Sequence, residues 1–152
     1  MQAGVELVRG IIDALNRGDV DSMLAHMDPD FEWRPLETSP VARVYHGHED
    51  VRRYVEDWLS TFDNLRLDLE DPTEQADWVI AQVHGHGRGR ASGVELHNRF
   101  CQVWTVLNGR AVGMEEYATR EQALEILRSR SHRSRGAAPA VRPGPTRSSS
   151  RL

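Results

Sequence analysis

The chain opens on apolar residues at helical spacing. Val5, Leu7, Val8, Ile11, Ile12 and Leu15 fall at i, i+3, i+4 and i+7 within residues 2–16, which predicts an amphipathic helix. The run Asn16-Arg17-Gly18-Asp19 stops it, because Gly18 suits the left-handed residue beyond a helix end. Asp19 then caps a short second helix carrying Val20, Met23, Leu24 and Met27. Asp28-Pro29-Asp30 closes that helix, and Phe31 to Arg34 reads as a short strand. A loop follows from Pro35 to Gly47. Residues 49–62 return to the helical period, with Val51, Tyr54, Val55, Trp58, Leu59 and Phe62 on one face. Glu49 and Asp50 lead this helix, at the positive end of its dipole.

After Asp63 the period changes to two. Leu65, Leu67 and Leu69 alternate with Arg66, Asp68 and Glu70, as on a half-buried strand. Residues 77–87 predict the next strand, residues 87–93 a Gly-rich turn, and residues 94–107 a long strand. Asn108-Gly109 marks a tight hairpin into residues 110–118. Thr119 and Gln122 make a capping box for a last short helix, whose apolar face ends near Leu127. Helices come first and antiparallel hairpins later, so the class is α+β.

Composition narrows the function. The 152 residues suffice for one ordinary domain, with no apolar run near the ~20 residues that cross a membrane. Met1 to Arg9 shows no basic stretch before an apolar core, so no leader is expected and a cytoplasmic setting is. The single cysteine, Cys101, excludes a disulfide framework and a Cys-rich zinc site. All 19 basic residues are arginine, and those at 129–152 come without any acid. This Arg/Ser/Pro-rich stretch has few groups that pack, so it is expected to be a disordered tail behind a domain at 1–128. It lacks aromatics for stacking on bases, and nucleic acid is not expected as a partner beyond a weak electrostatic contact through those arginines.

Three runs carry a resemblance: ALNRGDVDSMLAHMDPDFEW at 14–33, YHGHEDVRRYV at 45–55 and VWTVLNGRAVGMEEYATREQALEIL at 103–127. In order and spacing they resemble the nuclear transport factor 2-like superfamily, in its SnoaL-like branch. The resemblance implies a cone, with a curved antiparallel sheet wrapped around three N-terminal helices and closed by a short C-terminal helix. It also implies an internal pocket and a homodimer. The superfamily contains ketosteroid isomerases, limonene-epoxide hydrolases, polyketide cyclases, dehydratases and non-catalytic modules, so fold alone does not assign an activity.

Each known chemistry leaves residues that can be checked. The isomerase tyrosine, base and acid fall on Ile11, Pro35 and Gln102, so none is kept. The epoxide-hydrolase relay falls on Val83, Gly85 and Glu116, and its water-holding tyrosine and asparagine on Trp33 and Pro35. Only Glu116 retains an acid.

The same resemblance sets the faces. Asn98, Phe100, Gln102 and Trp104 should point inward, as should Val112, Met114, Glu116 and Ala118, and Val79, Ala81 and Val83. Phe31 and Trp33 should close the cone, and Tyr54 and Trp58 roof it. An apolar, aromatic pocket with a few converging polar groups takes a small apolar organic ligand. The expected ligand set is therefore Phe31, Trp33, Tyr54, Trp58, Val83, Asn98, Phe100, Gln102, Trp104 and Met114.

Glu116 has two readings. It acts as a general acid or base in an isomerase, cyclase, dehydratase or hydrolase. Or it is a rim carboxylate paired with Arg34 or Arg99, in a non-catalytic binding domain. A one-residue slip would exchange it with Glu115. His84 and His86 should point outward; two such histidines can share a metal, with His97 as a candidate third ligand, but a surface or dimer-face role is the simpler expectation. No metal or other cofactor is therefore assigned. His46 and His48 read as loop residues, and Cys101 as outer-face packing. Apolar residues on both faces of strand 94–107, among them Cys101 and Val103, motivate a dimer through the outer face.

Overall fold

The computed structural model describes residues 3–36 and 43–137. Its elements are α1 (Ala3–Asn16), α2 (Val20–Ala25), β1 (Met27–Arg34), β2 (Tyr45–His46), α3 (Gly47–Thr61), β3 (Phe62–Gln75), β4 (Trp78–Gly89), β5 (Glu95–Leu107), β6 (Arg110–Tyr117) and α4 (Arg120–Ala137). They divide into a unit of residues 1–120, which holds the sheet, and a unit of residues 121–152, described here only as helix α4. No described helix is long and apolar enough to cross a membrane.

Local chemistry places the helices. On α1, Val5, Val8, Ile11, Ile12 and Leu15 are all buried, as their spacing requires. Burying each such side chain contributes roughly 1.5–3 kcal/mol. Glu74 of β3 accepts from the backbone N–H groups of Gly4 and Val5, at 3.0 and 3.3 Å, and so caps the start of α1. At the other end Asn16 clamps Leu67, donating to its carbonyl and accepting from its N–H, both at 2.9 Å. Asp19 caps α2 by accepting from Ser22 N at 3.1 Å, and Gly18 before it has φ +73°.

The sheet is curved and open, in the order β2-β1-β6-β5-β4-β3. Its β3 to β6 ladders are antiparallel, but β1 runs parallel to β6. The fully antiparallel sheet expected from the resemblance is thus corrected to a mixed one. A parallel partner needs no hairpin, so no local turn signal announces it. β1 begins at Met27, and Asp28-Pro29-Asp30, read as a helix stop, lies within it. Pro29 falls where the β1–β6 ladder shifts register between Met27 and Glu32, a position where a missing donor costs little. β3 runs on to Gln75 across two register shifts, and α4 runs to Ala137 where its apolar pattern predicted an end near Leu127. The tail from residue 138 onward lies outside the described residues.

Asn108 and Gly109 both have positive φ, +53° and +76°, as a two-residue type I′ hairpin requires. A bulge follows: Val106 pairs with Ala111 and Thr105 with Gly113, which leaves Val112 over. Ala111 is therefore the fully buried residue, and the inward place expected for Val112 is corrected. Beyond the bulge Met114 and Glu116 keep their expected face, opposite Trp104 and Gln102, but Ala118, expected inward, lies past the end of β6 and is exposed, which corrects its place.

One core lies between α1 to α3 and the inner sheet face, joining Ile11, Met23, Phe31, Val51, Trp104 and Met114 among others. Cys101 and Val103, which motivated the outer-face dimer, are wholly buried within the single chain.

Candidate functional site

α1, α3, the segment after β1 and the inner faces of β3 to β6 enclose a cavity of about 260 Å³. Leu15 comes from α1, and Tyr54, Val55 and Trp58 from successive turns of α3. Leu65 and Leu67 rise from β3, Gly85 from β4, and Leu96, Asn98 and Phe100 from β5. Trp33, Pro35, Leu36 and Glu116 complete the wall. Period-two alternation brings the strand residues to one face: Leu67, Gly85 and Asn98 form one cross-strand row.

Six sequence-derived residues line this cavity: Trp33, Tyr54, Trp58, Asn98, Phe100 and Glu116. Five do not. Phe31, Val83, Gln102, Trp104 and Met114 do point inward and are buried, but they lie off the cavity, with Phe31, Trp104 and Met114 in the core beside the helices. The helices fill the narrow end of the sheet's curve, so inward-facing and cavity-lining are different properties there. Phe31 and Trp104 lie 5.9 Å apart between ring centroids, and Trp33 joins both edge-on at 6.4 and 6.5 Å. The leucines of the wall were missed. Leu65 and Leu67 carried a signal in their alternation, and Leu96 in its place two residues before Asn98; Leu36 carried none.

Glu116 is the single charged residue among the described residues of the wall. Its Oε2 accepts from Gln102 Nε2 at 3.3 Å, and its Oε1 from the Leu36 N–H at 3.4 Å. Arg34 pairs instead with Glu32 at 3.4 Å and Arg99 with Glu70 at 2.7 Å, so the rim ion pair expected as one reading is absent for both. Glu115 points elsewhere, accepting from the Tyr117 hydroxyl. Burial pushes the Glu116 carboxyl up to about 7, against the pull of the Gln102, Leu36 and Trp33 donors. Uncharged below that value and charged above it, the group exists in both forms near neutrality.

Gln102 is wholly buried and its orientation is forced. The Trp104 indole N–H only donates, and it reaches Gln102 Oε1 at 3.0 Å. The amide nitrogen must then face Glu116. Trp33 Nε1, also buried, has no hydrogen-bond partner within the described chain, although it lies near enough to favour the Glu116 charge. Tyr54 packs edge-on to Trp33 at 5.3 Å and stacks on Tyr45 at 4.1 Å. Burial, then the Glu116 charge, pushes its hydroxyl far above the ordinary range, so it stays protonated and can donate.

Gly85 keeps the wall open. A Cβ there would come 2.5 Å from Asn98 Oδ1. Gly85→Ala should displace the Asn98 amide while changing stability by less than about 1 kcal/mol. Binding of the apolar dye anilinonaphthalene sulfonate, followed by fluorescence, should weaken by roughly tenfold, about 1.4 kcal/mol. Unchanged binding would place the dye away from this row.

Comparison with known proteins shows where this fold recurs. Residues 8–114 match the model of the SnoaL-like domain. A nuclear transport factor 2-like protein of unknown function from Burkholderia pseudomallei is 23% identical, with a TM-score of 0.70 over 82% of this chain and 97% of its own. TerC, co-crystallised with polyporic acid, is 20% identical, with a TM-score of 0.68 over 83% and 98%. A protein from Jannaschia sp. CCS1 classed as a SnoaL-like polyketide cyclase is 19% identical, with a TM-score of 0.68 over 82% and 90%. Identities this low establish a shared fold. No curated protein matches in sequence.

Proposed function

The chain belongs to the SnoaL-like domain family, and on that premise we propose that its cavity takes up a small, apolar, ring-bearing organic molecule with which Glu116 exchanges a proton. The observation that carries this reading is one carboxyl group, held near neutrality, in an otherwise apolar and aromatic wall. A group whose pKa lies near the working pH serves both as acid and as base.

The chemistry suited to this arrangement is proton transfer at a carbon beside a carbonyl. Ionised Glu116 takes the proton, and the negative charge moves onto the carbonyl oxygen. The Tyr54 hydroxyl and the Asn98 amide are the donors on the wall that can meet that oxygen. The protonated Glu116 then returns the proton at the same or another carbon. Isomerisation, cyclisation and dehydration all share this first step. By the resemblance the isomerase base falls on Pro35, which has no proton acceptor in its side chain, so the base would act from β6 instead. The class name of the Jannaschia relative makes polyketides the first compounds to try. The assembly we propose is a homodimer, on the family resemblance alone.

β-Tetralone, a cyclic ketone fused to a benzene ring, is a suitable probe. The protein should accelerate hydrogen–deuterium exchange beside its carbonyl above the buffer rate, followed by NMR, and β-tetralone should displace anilinonaphthalene sulfonate. Displacement without exchange would leave a binding module with no proton chemistry; absence of both would remove the cavity reading.

A further inference from the structure

Beyond the cavity, the opposite face of the sheet carries a second constellation. His86 on β4 and His97 on β5 are cross-strand partners, and His84 sits two residues before His86 on the same face. Their ring centroids lie 3.9 Å apart for His84 and His86, 6.0 Å for His84 and His97, and 5.7 Å for His86 and His97. One ring nitrogen from each lies within 4.8 Å of the others.

We propose that His84, His86 and His97 together bind one divalent transition-metal ion of zinc's class. Imidazole nitrogens suit such ions, with bonds of ~2.0–2.1 Å. Tetrahedral coordination at that length spaces the nitrogens ~3.4 Å apart, so the rings need only close by roughly 1 Å. Two of the rings are half-buried and His97 is exposed, which leaves room for that rotation.

Two further observations point the same way. His86 Nε2 is buried and lacks an aligned hydrogen bond, although Asp68 Oδ2 stands 2.9 Å away. Glu95 Oε1 stands 3.2 Å from His97 Nε2. Each carboxylate can either orient its ring or supply a fourth ligand. Asp68 is already paired with Arg66 at 2.8 Å and Glu95 with Arg88 at 3.1 Å, and Arg99 beside His84 pairs with Glu70, so a carboxylate that ligates the ion gives up its arginine.

Alternation separates this site from the cavity. Gly85 and Asn98, which line the cavity, lie between and beside these histidines but face the other way. The ion would therefore staple β4 to β5 and take no part in the cavity's chemistry, and the proposal stands whether or not Glu116 is catalytic.

The test uses the full chain without an affinity tag, stripped by chelator and titrated with Zn²⁺ by calorimetry. One Zn²⁺ should bind per chain, with a rise in melting temperature in excess metal. His84→Ala with His97→Ala should weaken binding by more than about 100-fold and remove that rise, while His46→Ala changes neither. If the double variant does not melt cooperatively in chelator, His97→Asn alone should still weaken binding at least roughly tenfold. Binding unaffected by these changes, no binding, or one ion per two chains would each overturn the three-histidine site.

Discussion

Glu116→Gln should make the protein more stable in alkaline buffer while it abolishes proton transfer in the cavity. The folded carboxyl sits at about 7, above its ordinary 4.5. A raised acid binds its proton more tightly folded than unfolded. Its favourable contribution is whole below the unfolded value and is lost as pH rises through the folded one. Between about pH 4 and about pH 8.5 the wild type should lose about 3 kcal/mol from this group alone. Glutamine does not ionise, so the variant escapes that loss. Denaturant midpoints at the two pH values measure it: the variant's advantage should grow by about 3 kcal/mol on the alkaline side. A constant gap would mean that burial does not raise this carboxyl. In the same variant, β-tetralone exchange should fall by ~10²–10⁴ while the ketone still displaces the dye. Retained exchange would move the proton chemistry to another group.

Trp104→Ala should cost the most stability of any change considered. The ring is wholly buried against Phe31 and Trp33. Truncating it leaves a void worth ~3–5 kcal/mol, a large share of the 5–15 kcal/mol that holds a domain together. Trp104→Phe separates packing from hydrogen bonding. Phenylalanine fills much of the void but leaves Gln102 Oε1 buried without its donor, at a cost of ~1–3 kcal/mol. The Gln102 amide is then free to turn its oxygen toward Glu116. That turn removes a donor from the carboxylate and should push its pKa higher still. The apparent pKa of β-tetralone exchange should rise in Trp104→Phe, a shift that a purely structural tryptophan would not produce.

The helices were legible because their information is local. The stripe from Val5 to Leu15, the Asp19 cap and the type I′ turn at Asn108-Gly109 each lie within a few residues of what they specify. The parallel β1–β6 pairing and the two-residue β2 were not legible, since each depends on partners distant in sequence. Six of the cavity's residues lie on faces that the resemblance set, yet a face alone could not say how far the helices penetrate. Gln102 and Trp104 were therefore assigned to the ligand when they support Glu116 from behind. The histidine trio shows the same limit. His84 and His86 announce a shared face, but only the β4–β5 register brings His97 beside them.

The bulge at Val112 has a consequence for how relatives of this protein can diverge. Counting regular pairs back from the hairpin turn would set Gln102 opposite Glu115; the extra residue sets it opposite Glu116. Two neighbouring glutamates thus compete for one position, and whether Val112 is bulged out or paired decides between them. Deleting Val112 would straighten the hairpin tip and leave Glu116 in place. Inserting one residue between Gly113 and Glu115 would turn Glu116 out and Glu115 in, with no amino acid replaced. In this hairpin a one-codon insertion is the evolutionary step that relocates the carboxylate, and a substitution-only survey of variants would never sample it.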